Sequence, residues 1–341
     1  MADLGLPAGA TFAGANGISG DGSVVTGVVR FASGDRAFRW TEATGMQAID
    51  LSPQASTASG TRVSGDGLVI VGFQFFSTGV RAFRWTTSAG LQDLGAPAGG
   101  TTSLASDVSG DGSVIAGQIG TPMGIRASRW TESTGFQDLG TLPPFNRSTA
   151  LGISEDGSVI VGEVSRPLEV PPFIEVRPFR WSASEGMVEL PSLRGGFVTS
   201  ATDTSGDGSV IVGYGDVGPS TARRALMWTE SLGVVDLREY LITEHGLDLS
   251  GWVLEQAEAV SADGGTVVGR GSFDGSSRGW VVSGLFEPPC PADLNDDGIV
   301  DATDLAILLA AWGGRGPADL DGNGVVDAAD LAILLGAWGK C

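Results

Sequence analysis

One nine-residue string recurs six times along the 341-residue chain, and this recurrence limits the fold more than any other feature. The copies are SGDGSVVTG (Ser19 to Gly27), SGDGLVIVG (Ser64 to Gly72), SGDGSVIAG (Ser109 to Gly117), SEDGSVIVG (Ser154 to Gly162), SGDGSVIVG (Ser205 to Gly213) and SADGGTVVG (Ser261 to Gly269). Their starts lie 45, 45, 45, 51 and 56 residues apart. Asp-Gly flanked by β-branched residues marks a tight hairpin, because glycine takes the positive φ that the turn needs. A third strand ending in tryptophan follows in five copies: RAFRW (Arg36 to Trp40), RAFRW (Arg81 to Trp85), RASRW (Arg126 to Trp130), RPFRW (Arg177 to Trp181) and RALMW (Arg224 to Trp228). A fourth ends in an acid and a leucine, at Asp50-Leu51, Asp93-Leu94, Asp138-Leu139, Glu189-Leu190 and Asp236-Leu237. Four short antiparallel strands in about 45 residues make one propeller blade.

The sixth unit stops after its third strand, at Arg278, Trp280 and Val282. Asp3-Leu4-Gly5, ahead of the first hairpin, reads as the missing closing strand. The expected fold over residues 1–286 is therefore all-β, a six-bladed β-propeller of four-stranded repeats closed by the N-terminal strand, since an open stack would expose its edges. In RAFRW, alternation puts Phe38 and Trp40 on one face and Arg39 on the other. The tryptophans are expected to fill the gaps between blades, and arginines such as Arg39 and Arg84 to stack on a ring or pair with an acid. The hairpin acids Asp21, Asp66, Asp111, Asp156, Asp207 and Asp263 read as turn residues rather than metal ligands. The longest departure from the repeat, residues 229–260, contains LREYLITEHG, which reads as a helix stopped by Gly246. With SGDGSVIVG, RAFRW and DLG as the matching strings, residues 3–284 resemble the HAF family of extracellular repeats, which implies secretion and repetition but no particular activity.

After Glu287-Pro288-Pro289, which reads as a linker, residues 290–341 change character. Two loops offer oxygens at positions 1, 3, 5, 7, 9 and 12, with glycine at 6. The first is Asp293, Asn295, Asp297, Ile299 through its carbonyl, Asp301 and Asp304; the second is Asp319, Asp321, Asn323, Val325 through its carbonyl, Asp327 and Asp330. The copies lie 26 residues apart and agree at 15 of 22 aligned positions. Polar turns alone do not explain why acids recur at positions 9 and 12, so two bound Ca²⁺ ions are expected. Leu305, Leu308, Leu309 and Trp312, and Leu331, Leu334, Leu335 and Trp338, follow at i, i+3, i+4, i+7, so each loop opens a short amphipathic helix.

A duplicated loop–helix unit with Asp at position 12 resembles the dockerin domain, a secreted module that joins its protein to a cohesin partner. The resemblance implies a cohesin-like or cell-surface partner. This sequence departs from the pattern at loop positions 10 and 11, where Ala302, Thr303, Ala328 and Ala329 stand in place of the usual hydroxyl pair. Cys290 and Cys341, the only cysteines, bracket the module. A bridge between them would remove roughly 4 kcal/mol of unfolded-chain entropy and would imply an oxidising compartment.

The formal charge of −20 argues against nucleic acid as a partner. No apolar run approaches the ~20 residues of a membrane span, and Met1 to Gly14 shows no signal peptide. An extracellular or cell-surface monomer is expected nonetheless, with a glycan or protein as the ligand of the propeller. One histidine, no GxSxG string and no P-loop leave catalysis little to work with. A non-catalytic recognition protein is the leading expectation, and the alternatives are a polysaccharide-degrading, glycoside hydrolase-like enzyme and a purely structural surface protein. A sialidase-type reaction would need a tyrosine nucleophile, for which Tyr214 and Tyr240 are the candidates.

Overall fold

A computed structural model describes residues 3–170, 174–193, 196–218, 220–286, 291–295, 297 and 299–340. The chain divides into two compact units, residues 1–282 and 283–341. Among the described residues no helix is long and apolar enough to cross a membrane.

The first unit is a six-bladed β-propeller. Among the described residues five blades are four-stranded antiparallel sheets in simple meander order, and the sixth has three strands. In blade two the strands are Thr57–Val63, Val69–Phe76, Gly79–Thr86 and Gly90–Asp93. The repeated string holds the end of the first strand, the turn and the start of the second. Its serine and aspartate build that turn: Asp66 Oδ1 accepts from the Ser64 hydroxyl at 2.5 Å and from the Leu68 amide at 2.9 Å. The same bonds recur at Asp21, Asp111, Asp156, Asp207 and Asp263, as turn chemistry requires. The Ser19 hydroxyl and the Ser23 amide hold the Asp21 carboxyl down at about 2.

Every first strand carries a bulge at one repeat position, beside Ala15, Gly60, Ala105, Ala150, Ala201 and Ala257. The residue after the bulge crowds the next blade. A Cβ on Gly17 would stand 2.9 Å from Arg62 Cα, and one on Gly152 would stand 2.9 Å from Asp203 Cα, so both positions need glycine for the close approach.

Packing between blades follows one rule. Val69, Val71 and Ala82 of blade two meet Ala105, Val108, Ile115 and Trp130 of blade three. Likewise Val159 and Val161 of blade four meet Ala201, Ile211, Leu226 and Trp228 of blade five. The tryptophans thus fill inter-blade gaps, as alternation implied. The arginine expectation holds at Arg180, which pairs with Glu185 at 2.7 Å, but not at Arg84. Arg84 donates to the Gly112 carbonyl of the next blade, and in blades two and five the first arginine of the string meets the strand-four acid: Arg81 with Asp93 at 3.1 Å and Arg224 with Asp236 at 2.7 Å. An acid at the end of strand four lies beside the start of strand three, because the two strands are antiparallel neighbours.

The closing strand does not form among the described residues. Asp3-Leu4-Gly5 is no strand, yet Asp3 Oδ1 accepts from Gly5 N at 2.9 Å, the same turn that Asp93 makes with Gly95. Leu4 packs with Trp40 and Met46 of blade one, as Leu94 packs with Trp130 and Phe136 of blade three. The DLG element is therefore recognisable, but the residues that pair in a fourth strand precede the acid, and Met1 and Ala2 lie outside the described residues.

A seam results. Backbone bonds sew turn to turn from Gly20 to Gly65, Asp66 to Gly110, Gly110 to Glu155, Glu155 to Gly206 and Gly206 to Ala262. None returns from blade six to blade one among the described residues. Ile18 is 62% exposed where Val63, Val108 and Ile153 are 5–7% exposed, and Val268 is 39% exposed where Val71, Ala116 and Val161 are at 0%.

The insertion after blade five forms helix α1 (Leu237–Thr243), capped by Asp236. It packs on the third and fourth strands of blade five and the first strand of blade six. Arg238 pins the following loop by donating to the carbonyls of Trp252 and Leu249.

The second unit is a duplicated loop–helix pair containing α2 (Ala302–Ala310) and α3 (Ala328–Gly336). Its core pairs residues 26 apart: Ala292 with Ala318, Val300 with Val326, and Leu308 with Leu334. Ile299–Val300 pairs with Gly339–Lys340, while Val326 exchanges backbone bonds with Gly313 and Gly314. Each loop is thus tied to the segment after the other copy's helix. The expected Cys290–Cys341 bridge and Gly298 lie outside the described residues.

Candidate functional site

Two places bring chemistry-bearing side chains together, one in each unit. In the second acidic loop, carboxylate oxygens of Asp319, Asp321 and Asp330 all lie within 4.8 Å of one another. Asp319 Oδ2 accepts from Gly324 N at 2.8 Å, but its Oδ1 is buried without a hydrogen-bond partner. Burying a carboxylate oxygen unpaired is costly unless a cation answers it. The donor set is all oxygen, and hard divalent ions such as calcium take such ligands. These residues fit the ion.

Position 12 is built the same way in both loops. Asp330 Oδ1 accepts from Leu320 N and Asp321 N, and Oδ2 from Asp327 N; Asp304 makes the same three bonds to Leu294, Asn295 and Asp301. Both residues are fully enclosed. Burial opposes ionisation at Asp304, but the three amides outweigh it and hold the carboxyl below its ordinary range; at Asp330 the amides, that of Asp327 foremost, do the same.

Position 9 has a role that sequence reasoning missed. Asp301 and Asp327 are the N-caps of α2 and α3, each in a capping box with the acid three residues on. The signal was present as D-x-x-D ahead of an apolar run. Asn295 and Asn323 turn their amides inward on the loop: Asn295 Nδ2 donates to Asp297, and Asn323 Nδ2 to Asp321. Asp297 N donates to Asp293 Oδ1 at 3.2 Å. Ile299 and Val325 have exposed side chains. Beyond the loops, Leu309, Trp312, Leu335 and Trp338 stand 47–52% exposed, although their spacing could have served a core.

The second place is the centre of the ring. A cavity of about 840 Å³ is lined by the first strands of all six blades. Sequence reasoning did not find it. Its signal lies one residue beyond each repeated string, where Val28, Phe73, Gln118, Glu163, Tyr214 and Arg270 are six different residues. Four of them, Phe73, Gln118, Glu163 and Tyr214, line the cavity. The Arg223 guanidinium lies 4.5 Å from the Tyr214 ring centroid. Arg270 pairs with Glu258 at 3.0 Å and donates to Gln256 at 2.7 Å. The Glu163 carboxylate makes no hydrogen bond or ion pair among the described residues. Burial, and then the charge of Glu163, push the Tyr214 phenol up. Tyr240 is instead on α1, edge-on to His245 at 5.3 Å.

The ring also encloses two acids after the strand-one bulges. Asp107 Oδ2 accepts from Ile153 N and Asp203 Oδ2 from Val260 N, each bond reaching into the next blade, and Arg62 lies 3.8 Å from Asp107. Burial, then repulsion from Asp107, push Asp203 up to about 7. Burial likewise raises Asp107. A carboxyl with a raised folded-state pKa favours folding most below its unfolded value, and that contribution disappears as pH rises through about 7. The propeller should therefore melt lower at pH 8 than at pH 5. Asp203→Asn should flatten the dependence and raise the melting point at pH 8. Parallel curves for the two proteins across that range would refute the assignment.

No protein family model matches the sequence, and no curated protein matches it. Among solved structures the chain is similar to the β-propeller domain of the trilobed protease from Pyrococcus furiosus, with TM-score 0.55 and 16% identity over 82% of this chain and 85% of that one. That domain has an open velcro topology. The chain is also similar to an oligogalacturonate lyase in complex with manganese, with TM-score 0.51 and 14% identity over 82% of this chain and 78% of that one. A prolyl endopeptidase structure matches with TM-score 0.53 and 12% identity over 82% of this chain and 42% of that one. At such identities the likeness is one of fold alone, the β-propeller.

Proposed function

We propose that this is a secreted, non-catalytic modular protein whose propeller is a recognition scaffold and whose C-terminal unit is a calcium-dependent, dockerin-like connector. The partner of the connector is a cohesin-like or cell-surface protein. The observation that carries the reading is Asp319 Oδ1, a buried carboxylate oxygen with no hydrogen-bond partner, beside Asp321 and Asp330. Two Ca²⁺ ions, one per loop, answer the crowded acids and fix the helices that follow. Leu309 and Trp312, and their counterparts Leu335 and Trp338, then offer two equivalent apolar patches, the kind of surface that partner proteins cover.

The test is capture of partners from the organism's secreted and surface fractions by the full chain, with calcium and with chelator. Calcium-dependent capture that is lost in Asp319→Asn and in Trp312→Ala supports the connector. Capture indifferent to calcium refutes it. The rival reading, a polysaccharide-cleaving enzyme, draws on Tyr214 and Glu163 facing one cavity. Release of reducing sugar that is abolished by Glu163→Gln would favour it.

A further inference from the structure

We infer that the central cavity of the propeller binds a neutral pyranose sugar, an inference that rests on the recognition role just proposed. Repeat positions that carry the same residue in every blade build the fold. The residue after the strand-two glycine differs in all six copies, so the fold does not dictate it, and four of the six copies line one cavity. Unlike groups around a single space suit a ligand that is itself asymmetric.

Phe73 and Tyr214 belong to blades two and five, three apart in a ring of six, and so stand on opposite walls of the cavity. The faces of their rings are negative and attract the C–H faces of a pyranose. Between them, Glu163 is free to accept from sugar hydroxyls. Gln118 accepts from Thr149 through its Oε1, which leaves its amide N–H groups to donate. The nearby cations are engaged: Arg270 by Glu258 and Gln256, Arg62 by Asp107, and Arg223 over Tyr214. With Arg62 and Arg270 paired, Glu163 unpaired and a chain charge of −20, the cavity disfavours an acidic ligand. A volume of about 840 Å³ lies within the range of small-molecule sites.

The test is isothermal titration of the full calcium-loaded chain with β-linked tetrasaccharides of glucose, xylose and mannose, and with a galacturonate tetrasaccharide as the acidic comparison. At least one neutral sugar should bind. Its affinity should fall about tenfold in Phe73→Ala and in Tyr214→Ala, and it should also fall in Glu163→Gln, a near-isosteric change that spares the fold. Met123→Ala, at an exposed turn, should bind as the parent does. Three results overturn the inference: binding of the acidic sugar alone, no binding of any neutral sugar, or sugar binding that survives all three cavity substitutions. The last would leave the recognition role standing while moving its site elsewhere. Absence of both sugar binding and calcium-dependent capture would remove the role itself.

Discussion

Chelating calcium will unfold residues 290–341 and leave the propeller folded. Calorimetry of the full chain should then show two transitions with calcium present, of which only the lower one shifts or vanishes in chelator. The connector has about 52 residues, near the size at which a metal or a covalent staple is needed for folding. Its acids explain the dependence. Asp319, Asp321 and Asp330 hold oxygens within 4.8 Å of one another, and unit charges about 4 Å apart repel by about 1 kcal/mol even at the dielectric of water. An ion present at a hundred times its Kd contributes about 2.7 kcal/mol for each site. Asp319→Asn isolates the effect, because it removes charge from a residue whose Oδ1 has no hydrogen bond to lose. Asp330→Ala and Asp304→Ala are blunter, since each also removes three backbone bonds and a capping box. An unchanged lower transition in chelator would end the calcium reading.

Trp228→Ala should destabilise the propeller by about 3–5 kcal/mol, the usual range for deleting a large buried aromatic. Trp228 is 3% exposed and packs with Val159 and Val161 of blade four across the gap, beside Ala201 of its own blade. Its indole also donates to the Pro191 carbonyl at 2.7 Å, and leaving that acceptor unsatisfied adds about 1 kcal/mol. Val281→Ala offers the contrast. Val281 is 67% exposed at the seam, so its truncation should stay within about 0.5 kcal/mol. Urea unfolding of both variants measures the difference, and equal midpoints would contradict the inter-blade packing.

The blade count, strand order and tryptophan packing were legible because each rests on a local signal repeated many times. Asp-Gly turns, two-residue alternation and fixed spacing all agree in Ser64 to Trp85. Arg84 was misread because alternation assigns it a side but not a neighbour, and its partner, the Gly112 carbonyl, belongs to the next blade. The closing strand was overread for a related reason. Asp3-Leu4-Gly5 identifies the end of a fourth strand, but the pairing residues come before that end. In the acidic loops ligand spacing and capping spacing coincide at Asp301 and Asp304, so one role hid the other. The cavity stayed hidden because its signal is difference rather than likeness, and a search for repeats discards the position where Phe73, Gln118, Glu163 and Tyr214 disagree.

The seam between Val268 and Ile18 changes how the ring holds itself up. Among the described residues no turn-to-turn bond joins blade six to blade one, so the blades are held as a linear array bent into a circle, and such arrays draw their stability from each unit and its nearest neighbours. Among the described residues blades one and six are sewn to a single neighbour apiece, while blades two to five are sewn to two. A defect deep in the row therefore cuts two supports at once, whereas one at either tip cuts only one, and the protein's strength is graded from its middle toward its ends.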